Sequence, residues 1–205
     1  MDLSEPARAL APGLTVPVLR ALSRRSTPAT ASQIWRAARG GTLAGVQRAC
    51  DRLVAHGLVE TDEAGGRQVY YLNHDHLLYD AAMATVAATG VLSRRMATAV
   101  ERWEVPPRSA VLFGSAARGD GDVESDVDLL LVRPGKAPAA VWHRQVHDLA
   151  GAVRRWTGNR LEIVDVPLSE ARLLRRDNER LFRALVDEGI TLYGDDITAV
   201  AGAST

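Results

Sequence analysis

The sequence has little cysteine and no long apolar segment. Cys50 is the only cysteine among 205 residues, which excludes an internal disulfide framework and favours a reducing compartment. No apolar run approaches the roughly 20 residues that a helix needs to cross a bilayer. The first residues also lack the basic and then apolar layout of a secretory signal. We therefore expect a cytoplasmic protein with no membrane partner.

The net charge is zero, but the charged residues are unevenly distributed. Hydrophobic residues make up 46% and charged residues 24% of the chain, as is ordinary for a globular protein. Between Pro12 and Glu60, seven arginines oppose two acidic residues, a net charge of +5, whereas residues 76–205 carry a net charge of −2. The excess positive charge of this N-terminal stretch, called the head below, indicates that it binds a polyanion.

The hydrophobic pattern divides the chain into three stretches. Residues 1–75 hold short helical patterns and then two strands around a Gly65-Gly66 turn, which is typical of a hairpin. Residues 76–104 are alanine-rich and contain no proline, which predicts a connecting helix. Residues 105–205 alternate strands and helices, which predicts a small α/β or α+β domain.

Two short motifs in the third stretch indicate a chemistry. An apolar strand ends at Gly114-Ser115, where glycine lets a ligand approach the backbone and serine adds a hydroxyl. Arg118 follows and can bind phosphate. Asp126 and Asp128 are two residues apart in a predicted strand, so both carboxylates face one side. They repel each other unless a cation lies between them, and oxygen ligands favour Mg²⁺ or Mn²⁺.

At this spacing the sequence resembles the polymerase β nucleotidyltransferase superfamily, whose signature is Gly-Ser, ten residues, and Asp-x-Asp. The match runs without a gap from Gly114 to Asp128, and its details look most like the minimal nucleotidyltransferases of bacteria and archaea. The resemblance implies a small mixed sheet flanked by helices. It also implies transfer of a nucleoside monophosphate from a triphosphate, expected to be ATP, to a protein, RNA or small-molecule hydroxyl. Minimal members often work in toxin–antitoxin pairs.

The resemblance also implies roles for individual residues. Asp126 and Asp128 would hold the metal ion. The triphosphate would lie against four residues in and around the motifs: Gly114, Ser115, Arg118 and Ser125. In the family a third carboxylate on a later strand completes the metal site and helps to activate the acceptor hydroxyl. Glu162 fits that position better, and Asp165 is the alternative; they lie three residues apart and face opposite sides of their strand.

The first 75 residues resemble a winged helix-turn-helix of bacterial transcription regulators. The run from Thr42 to Leu53 has the look of a recognition helix that leads into the wing. Four side chains are expected to contact DNA bases or phosphates: Gln47, Arg48, Arg52 and Arg67. Because winged-helix regulators are often dimers, a homodimer is expected by analogy.

Together these resemblances predict a winged helix-turn-helix at residues 1–75, a connecting helix at 76–104 and a nucleotidyltransferase domain at 105–205. The expected function is Mg²⁺-dependent nucleotidyl transfer by an enzyme with a DNA-binding head. Two alternatives stay open. One is a DNA-binding transcription regulator whose transferase-like domain only senses nucleotide, and the other is a degenerate antitoxin that acts by binding alone.

Overall fold

The computed structural model describes residues 1–11, 13–38 and 40–202, and the chain divides into two compact units. One unit spans Glu5–Ala88, and the other combines Met1–Ser4 with the chain from Thr89 onward. Each unit encloses hydrophobic core of its own. Within the described ranges, no helix is both long enough and apolar enough to span a membrane.

The Glu5–Ala88 unit consists of helices and one hairpin. Its elements are α1 (Thr15–Ser23), α2 (Ala31–Ala38), α3 (Leu43–Ala55), β1 (Val59–Ala64), β2 (Arg67–Leu72) and α4 (Tyr79–Ala87). The strands pair antiparallel, and both glycines of the Gly65-Gly66 turn have positive φ, as a two-residue hairpin turn of this twist requires. Ala29, ahead of α2, forms a further antiparallel bridge to Tyr70.

Local sequence signals explain where α2 and α3 begin. Thr30 Oγ1 accepts from the Gln33 N–H at 3.4 Å, and Gln33 Oε1 accepts from the Thr30 N–H at 2.9 Å, which is a capping box. Thr42 Oγ1 accepts from the Gly45 N–H at 3.1 Å and satisfies one free donor of α3. On the inner face of α3, burial raises the pKa of the Cys50 thiol to about 12, so this cysteine packs rather than reacts.

The stretch 76–104 holds two helices rather than one connecting helix. After α4 ends at Ala87, a 3₁₀ turn covers Ala88–Gly90 and α5 (Val91–Glu101) follows. These two helices belong to different compact units. Gly90 stands at the N-cap of α5, and its low helix propensity explains why the helix is interrupted here although the stretch contains no proline.

The second unit places a sheet between two helical layers. Its further elements are β3 (Ser109–Phe113), α6 (Gly114–Arg118), β4 (Val127–Arg133), α7 (Ala139–Thr157), β5 (Leu161–Pro167), α8 (Leu168–Ala171), α9 (Leu174–Asp177), α10 (Glu179–Asp187), β6 (Ile190–Gly194) and α11 (Ile197–Gly202). The strand order is β5-β4-β3-β6; β4 and β5 are parallel, and the other two pairs are antiparallel. The predicted α/β class, with a small mixed sheet flanked by helices, is confirmed.

Alternation along β4 divides its side chains between two cores. Leu129 and Leu131 join the core that includes residues of α5 and α7. Leu130 and Val132 join the core that includes residues of α8 to α11. Because side chains alternate along a strand, Asp128 projects from the same face as Leu130, near the beginning of β4. The sheet thereby presents this acid at the end where β3 delivers the Gly-Ser turn.

Candidate active site

Strand β3 ends at a glycine that another residue could not easily replace. Gly114 begins α6 with φ +66°, in the left-handed region that favours glycine. A Cβ atom at this position would lie 2.2 Å from Asp128 Oδ2, far inside the contact distance of a real Cβ. Two constraints therefore select glycine here, the backbone conformation and the closeness of the Asp128 carboxylate. The two sequence motifs meet at this contact.

Three carboxylates share this end of the sheet. In the strand register, Asp128 lies between Phe113 of β3 and Glu162 of β5. Asp126 lies two residues earlier, just before β4 begins. Partial burial raises the pKa of Asp128, and the negative charges of Asp126 and Glu162 raise it further, against an opposing effect of Arg118. The site therefore carries an excess of negative charge that a bound cation would relieve.

Asp165, the alternative third carboxylate, projects from the other face of β5. Its Oδ2 accepts a hydrogen bond from the Trp142 indole N–H at 2.8 Å, and its Oδ1 lies 3.6 Å from Arg133 Nε. Trp142 belongs to α7 and is fully buried in the core on that face of the sheet. Glu162 instead neighbours the aspartate pair, with its Oε1 2.7 Å from Arg160 Nη2. The strand register thus groups Glu162, and not Asp165, with the two aspartates.

Arg118, the predicted phosphate contact, is bound by two acidic side chains. Its Nε lies 3.0 Å from Asp120 Oδ2 and its Nη1 lies 2.7 Å from Glu188 Oε2. These partners raise the pKa of the guanidinium above its ordinary value, so the positive charge is retained. The Arg118 side chain is 41% exposed, and exposed ion pairs contribute only about 0–1 kcal/mol to stability. A triphosphate could therefore replace these carboxylates at little cost.

The loop before Asp126 is held by residues outside the sequence motifs. The Ser125 hydroxyl donates to Asp122 Oδ1 at 2.8 Å and accepts from the Asp122 N–H at 2.9 Å, which lowers the pKa of Asp122. Asn159 is 4% exposed, and its Nδ2 donates to the Ser125 carbonyl at 2.8 Å. The carbonyls of Asp122 and Val123 lie 3.5 Å from the same nitrogen. Sequence reasoning did not identify Asn159, because only its burial against these carbonyls distinguishes it.

Replacing Asn159 with alanine should lower kcat and the Tm together. Loss of a buried donor leaves carbonyls of the loop unsatisfied, which costs about 1–3 kcal/mol, and the loop then holds Asp126 less firmly. Transfer kinetics and thermal unfolding measure the two effects. The matched control is Asn178→Ala, which removes the side-chain acceptor at the start of α10 and should lower the Tm with kcat unchanged. An equal fall of kcat in both variants would refute this positioning role.

Two of the residues predicted to contact DNA are bound within their own unit. The Gln47 side-chain amide donates to the Tyr70 hydroxyl of β2 and to Asp51 Oδ1, the latter at 3.0 Å. Arg52 donates to the Thr15 hydroxyl of α1. Their polar groups therefore help to fix α3 against the rest of the unit.

Arg48 and Arg67, the other two, are exposed. Arg67 also lines a groove of about 630 Å³ between α2, α3 and β2. Arg36 is a second cation in that groove, and none of the described residues that line it is acidic. This part of the unit offers positive charge and amide groups to a ligand.

The donor set at the sheet end fits a divalent cation. Carboxylate oxygens are the ligands that Mg²⁺ prefers, and the charges of Asp126 and Glu162 already act on Asp128. As the side chains stand, no three His, Cys, Asp or Glu residues in the described part of the chain are arranged to hold an ion. Glu162 forms an ion pair with Arg160, so binding of a divalent ion by Glu162 would require this ion pair to break.

Comparisons with known proteins concern the same unit. A family model of the nucleotidyltransferase domain matches residues 94–186. Three solved structures are similar to part of the chain. A toxin–antitoxin with AMP-PNP has 21% identity and a TM-score of 0.37, over 53% of this chain and 81% of that chain; a mutant of the toxin–antitoxin MntA–HpeT has 17% identity and a TM-score of 0.37, over 54% of this chain and 80% of that chain. A tri-AMPylated Shewanella oneidensis HEPN toxin in complex with MNT antitoxin has 17% identity and a TM-score of 0.35, over 55% of this chain and 79% of that chain. No curated protein matches the chain. Both motifs and Glu162 lie inside the residues that match the nucleotidyltransferase family model.

Proposed function

We propose that the protein is a Mg²⁺-dependent nucleotidyltransferase that moves a nucleoside monophosphate from a triphosphate to a hydroxyl group. The preferred donor is ATP, and the acceptor belongs to a separate protein, RNA or small molecule. The contact of Gly114 with the Asp128 carboxylate, with Glu162 in register beside it, is the observation that carries this proposal. This arrangement supports the proposal because a turn that phosphate could approach lies beside carboxylates, the ligand type that Mg²⁺ prefers.

In this proposal, Asp126, Asp128 and Glu162 hold the divalent ion. The bound ion would neutralise charge on the triphosphate and stabilise the attacking and leaving oxygens. Gly114 lets the phosphates approach the backbone, and Arg118 contributes a guanidinium that is charged at every relevant pH. Positioning and electrostatics of this kind supply most of the rate enhancement in phosphoryl transfer.

The chemical step is a displacement at the α-phosphorus. The acceptor oxygen forms a bond to this phosphorus, and the bond from the phosphorus to the oxygen that bridges the α- and β-phosphates breaks. Pyrophosphate leaves with the electron pair of that bond. The Glu162 carboxylate receives the proton of the acceptor hydroxyl as general base, so charge and protons balance.

Label transfer tests the proposal directly. The full-length protein is incubated with cell lysate and, in turn, with ATP, GTP, CTP and UTP labelled at the α-phosphate, with and without Mg²⁺. We expect one triphosphate to label a protein, RNA or small-molecule fraction only when Mg²⁺ is present. Mg²⁺-dependent nucleotide binding without label in any fraction would contradict the transferase and leave a binding function.

The ion pairs of two predicted site residues favour a second candidate, a regulator that senses nucleotide without turnover. Arg118 is bound by Asp120 and Glu188, and Glu162 is bound by Arg160. Such a site could bind a nucleotide, with these ion pairs replaced by contacts to the nucleotide and its metal ion, and catalyse no transfer. For this candidate, a triphosphate should change the affinity of the protein for duplex DNA severalfold with no transfer of label.

We further propose that the Glu5–Ala88 unit is a winged helix that binds duplex DNA. Three helices, the β1–β2 hairpin and the Ala29–Tyr70 bridge have the order that such a domain needs. Arg48 is exposed on α3, and Arg36 and Arg67 line the groove between α2, α3 and β2. Arginines on a helix and on an adjacent hairpin suit contacts with the phosphates on either side of a major groove.

Arg48→Gln should weaken duplex binding and reduce its salt dependence. Removal of one phosphate contact lowers the slope of log affinity against log salt by about 0.9 for duplex DNA. Fluorescence anisotropy with a labelled duplex over a salt series measures both quantities. Arg24→Gln removes the same charge from the unit outside α3 and the hairpin. Equal effects of the two substitutions would show that only net charge matters.

A further inference from the structure

A second basic groove lies in the unit that carries the nucleotidyltransferase domain. It has a volume of about 400 Å³ and runs along α5 beside the Trp156 indole of α7. Among the residues that the structure describes, three cations line it, Arg94, Arg95 and Arg102, together with short side chains such as Thr98, and none of the lining residues is acidic. None of these residues belongs to the motifs or to the carboxylate site.

The three arginines of this groove are exposed and are not neutralised by carboxylates. None of the three guanidinium groups makes a hydrogen bond or an ion pair with any residue that the structure describes. Elsewhere in the same unit, Arg118, Arg160 and Arg183 are each bound by an acidic side chain. A cluster of unpaired guanidinium groups attracts a polyanion, and arginine suits phosphate through its planar set of donors.

The groove also contains an aromatic ring, that of Trp156, which a site for phosphate alone does not need. Trp156 is half-buried at the edge of the core, and the guanidinium carbon of Arg95 lies 5.9 Å from the centroid of its ring. This cation–π contact shows that one face of the indole is turned towards the groove and lies under Arg95, which a stacked base would displace. An aromatic face among arginines can stack a nucleic-acid base while the arginines bind the neighbouring phosphates.

We propose that the α5 groove binds single-stranded nucleic acid, with one base on Trp156 and the backbone along Arg94, Arg95 and Arg102. A duplex suits it less, because its bases are already stacked on one another and cannot reach the ring. The last turn of α7 adds Arg154 and Arg155 to the positive charge near Trp156. Binding here does not depend on nucleotidyl transfer, since no residue of the groove belongs to the predicted active site.

Anisotropy with labelled single-stranded RNA, single-stranded DNA and duplex DNA of one length tests the proposal on the full-length protein without nucleotide. Trp156→Leu keeps an apolar side chain against the core and should weaken single-strand binding about tenfold, the loss expected for one stacked base. The double variant Arg94→Gln with Arg102→Gln should lower the salt slope by about 1.4, which is two phosphate contacts on a single strand. Duplex binding should change little in either variant. The RNA and DNA arms show which strand is preferred.

The control is the double variant Arg175→Gln with Arg180→Gln, which removes two exposed arginines from α9 and α10. It should leave single-strand affinity and its salt slope unchanged. Equal losses in both double variants would overturn the proposal, because they would report net charge alone. Unchanged single-strand binding by Trp156→Leu would overturn it as well. Competition by polyglutamate that is equal to competition by RNA would instead indicate an acidic protein as the partner.

Discussion

Asp128→Asn is expected to abolish nucleotidyl transfer and at the same time to raise the Tm of the protein at pH 7. A divalent ion contributes several kcal/mol of transition-state stabilisation, so loss of a central ligand should lower kcat by at least about 10³-fold. The stability of the fold should change in the opposite direction. Burial and the charges of Asp126 and Glu162 raise the pKa of Asp128, so its ionised form is unfavourable in the folded state without the ion.

The pH dependence of the Tm distinguishes this explanation from an unspecific effect. A carboxyl group whose pKa is raised on folding destabilises the protein when it is ionised. This penalty is absent below the ordinary value of 3.8 and grows as the pH rises through the raised pKa. The variant should therefore unfold at a higher temperature than the wild type at pH 7, and the difference should disappear as the pH falls. Thermal unfolding monitored by circular dichroism measures it.

Two further measurements complete the test of Asp128. Mg²⁺ with a nonhydrolysable triphosphate should raise the Tm of the wild type and have little effect on the variant, because ligand binding stabilises only a protein that binds it. Asp148→Asn makes the same chemical change at an exposed position of α7 and should leave transfer and the Mg²⁺ effect intact. Full activity of Asp128→Asn would rule out the proposed metal site.

Gly114→Ala is expected to reduce transfer by at least about 10²-fold, the loss expected for a misplacement of about 1 Å in an active site. The added Cβ would lie 2.2 Å from Asp128 Oδ2. The least costly relief is rotation of that carboxylate, which would remove it from the proposed metal site. A non-glycine residue in the left-handed region also costs about 1–3 kcal/mol. Transfer kinetics and Tm report the two effects separately.

Gly119 offers a matched control for this substitution. It has φ +72°, close to the +66° of Gly114, but a Cβ at Gly119 would meet nothing within 4 Å. Gly119→Ala should therefore show the loss of stability from the backbone alone and keep most of the activity. If both alanine variants lose transfer equally, backbone strain near the loop, and not the contact with Asp128, explains the effect.

Much of the fold follows from local signals in the sequence. The double glycine at 65–66 predicts the hairpin turn, and Thr42 predicts the start of α3. Both signals act through the residue itself and its nearest neighbours, so they need no tertiary context. The break of the stretch 76–104 at Ala88–Gly90 was missed, because one glycine in an alanine-rich run is a weak signal until the two helices pack in different units.

The candidate site depends on longer-range geometry. The choice between Glu162 and Asp165 is open in the sequence, since either could be the third carboxylate. In the structure, the parallel register of β4 and β5 places Glu162 beside Asp128, and the Trp142 indole binds Asp165 on the other face. That Glu162 serves in the site remains a prediction, which now has a geometric basis. Asn159 could not be identified in advance, because its role depends on a loop more than 30 residues away in the chain.

The sequence by itself determined the class of the fold, the Gly-Ser turn and the spacing of the two aspartates, because these depend on backbone preference and on alternation along one strand. Only the tertiary structure decided which acid lies beside Asp128, which carboxylates form ion pairs with Arg118, and that arginines without ion pairs lie close to Trp156. Each of these needs two segments that are distant in the chain to meet. Strand register and helix packing determine these contacts, and no local sequence pattern predicts them.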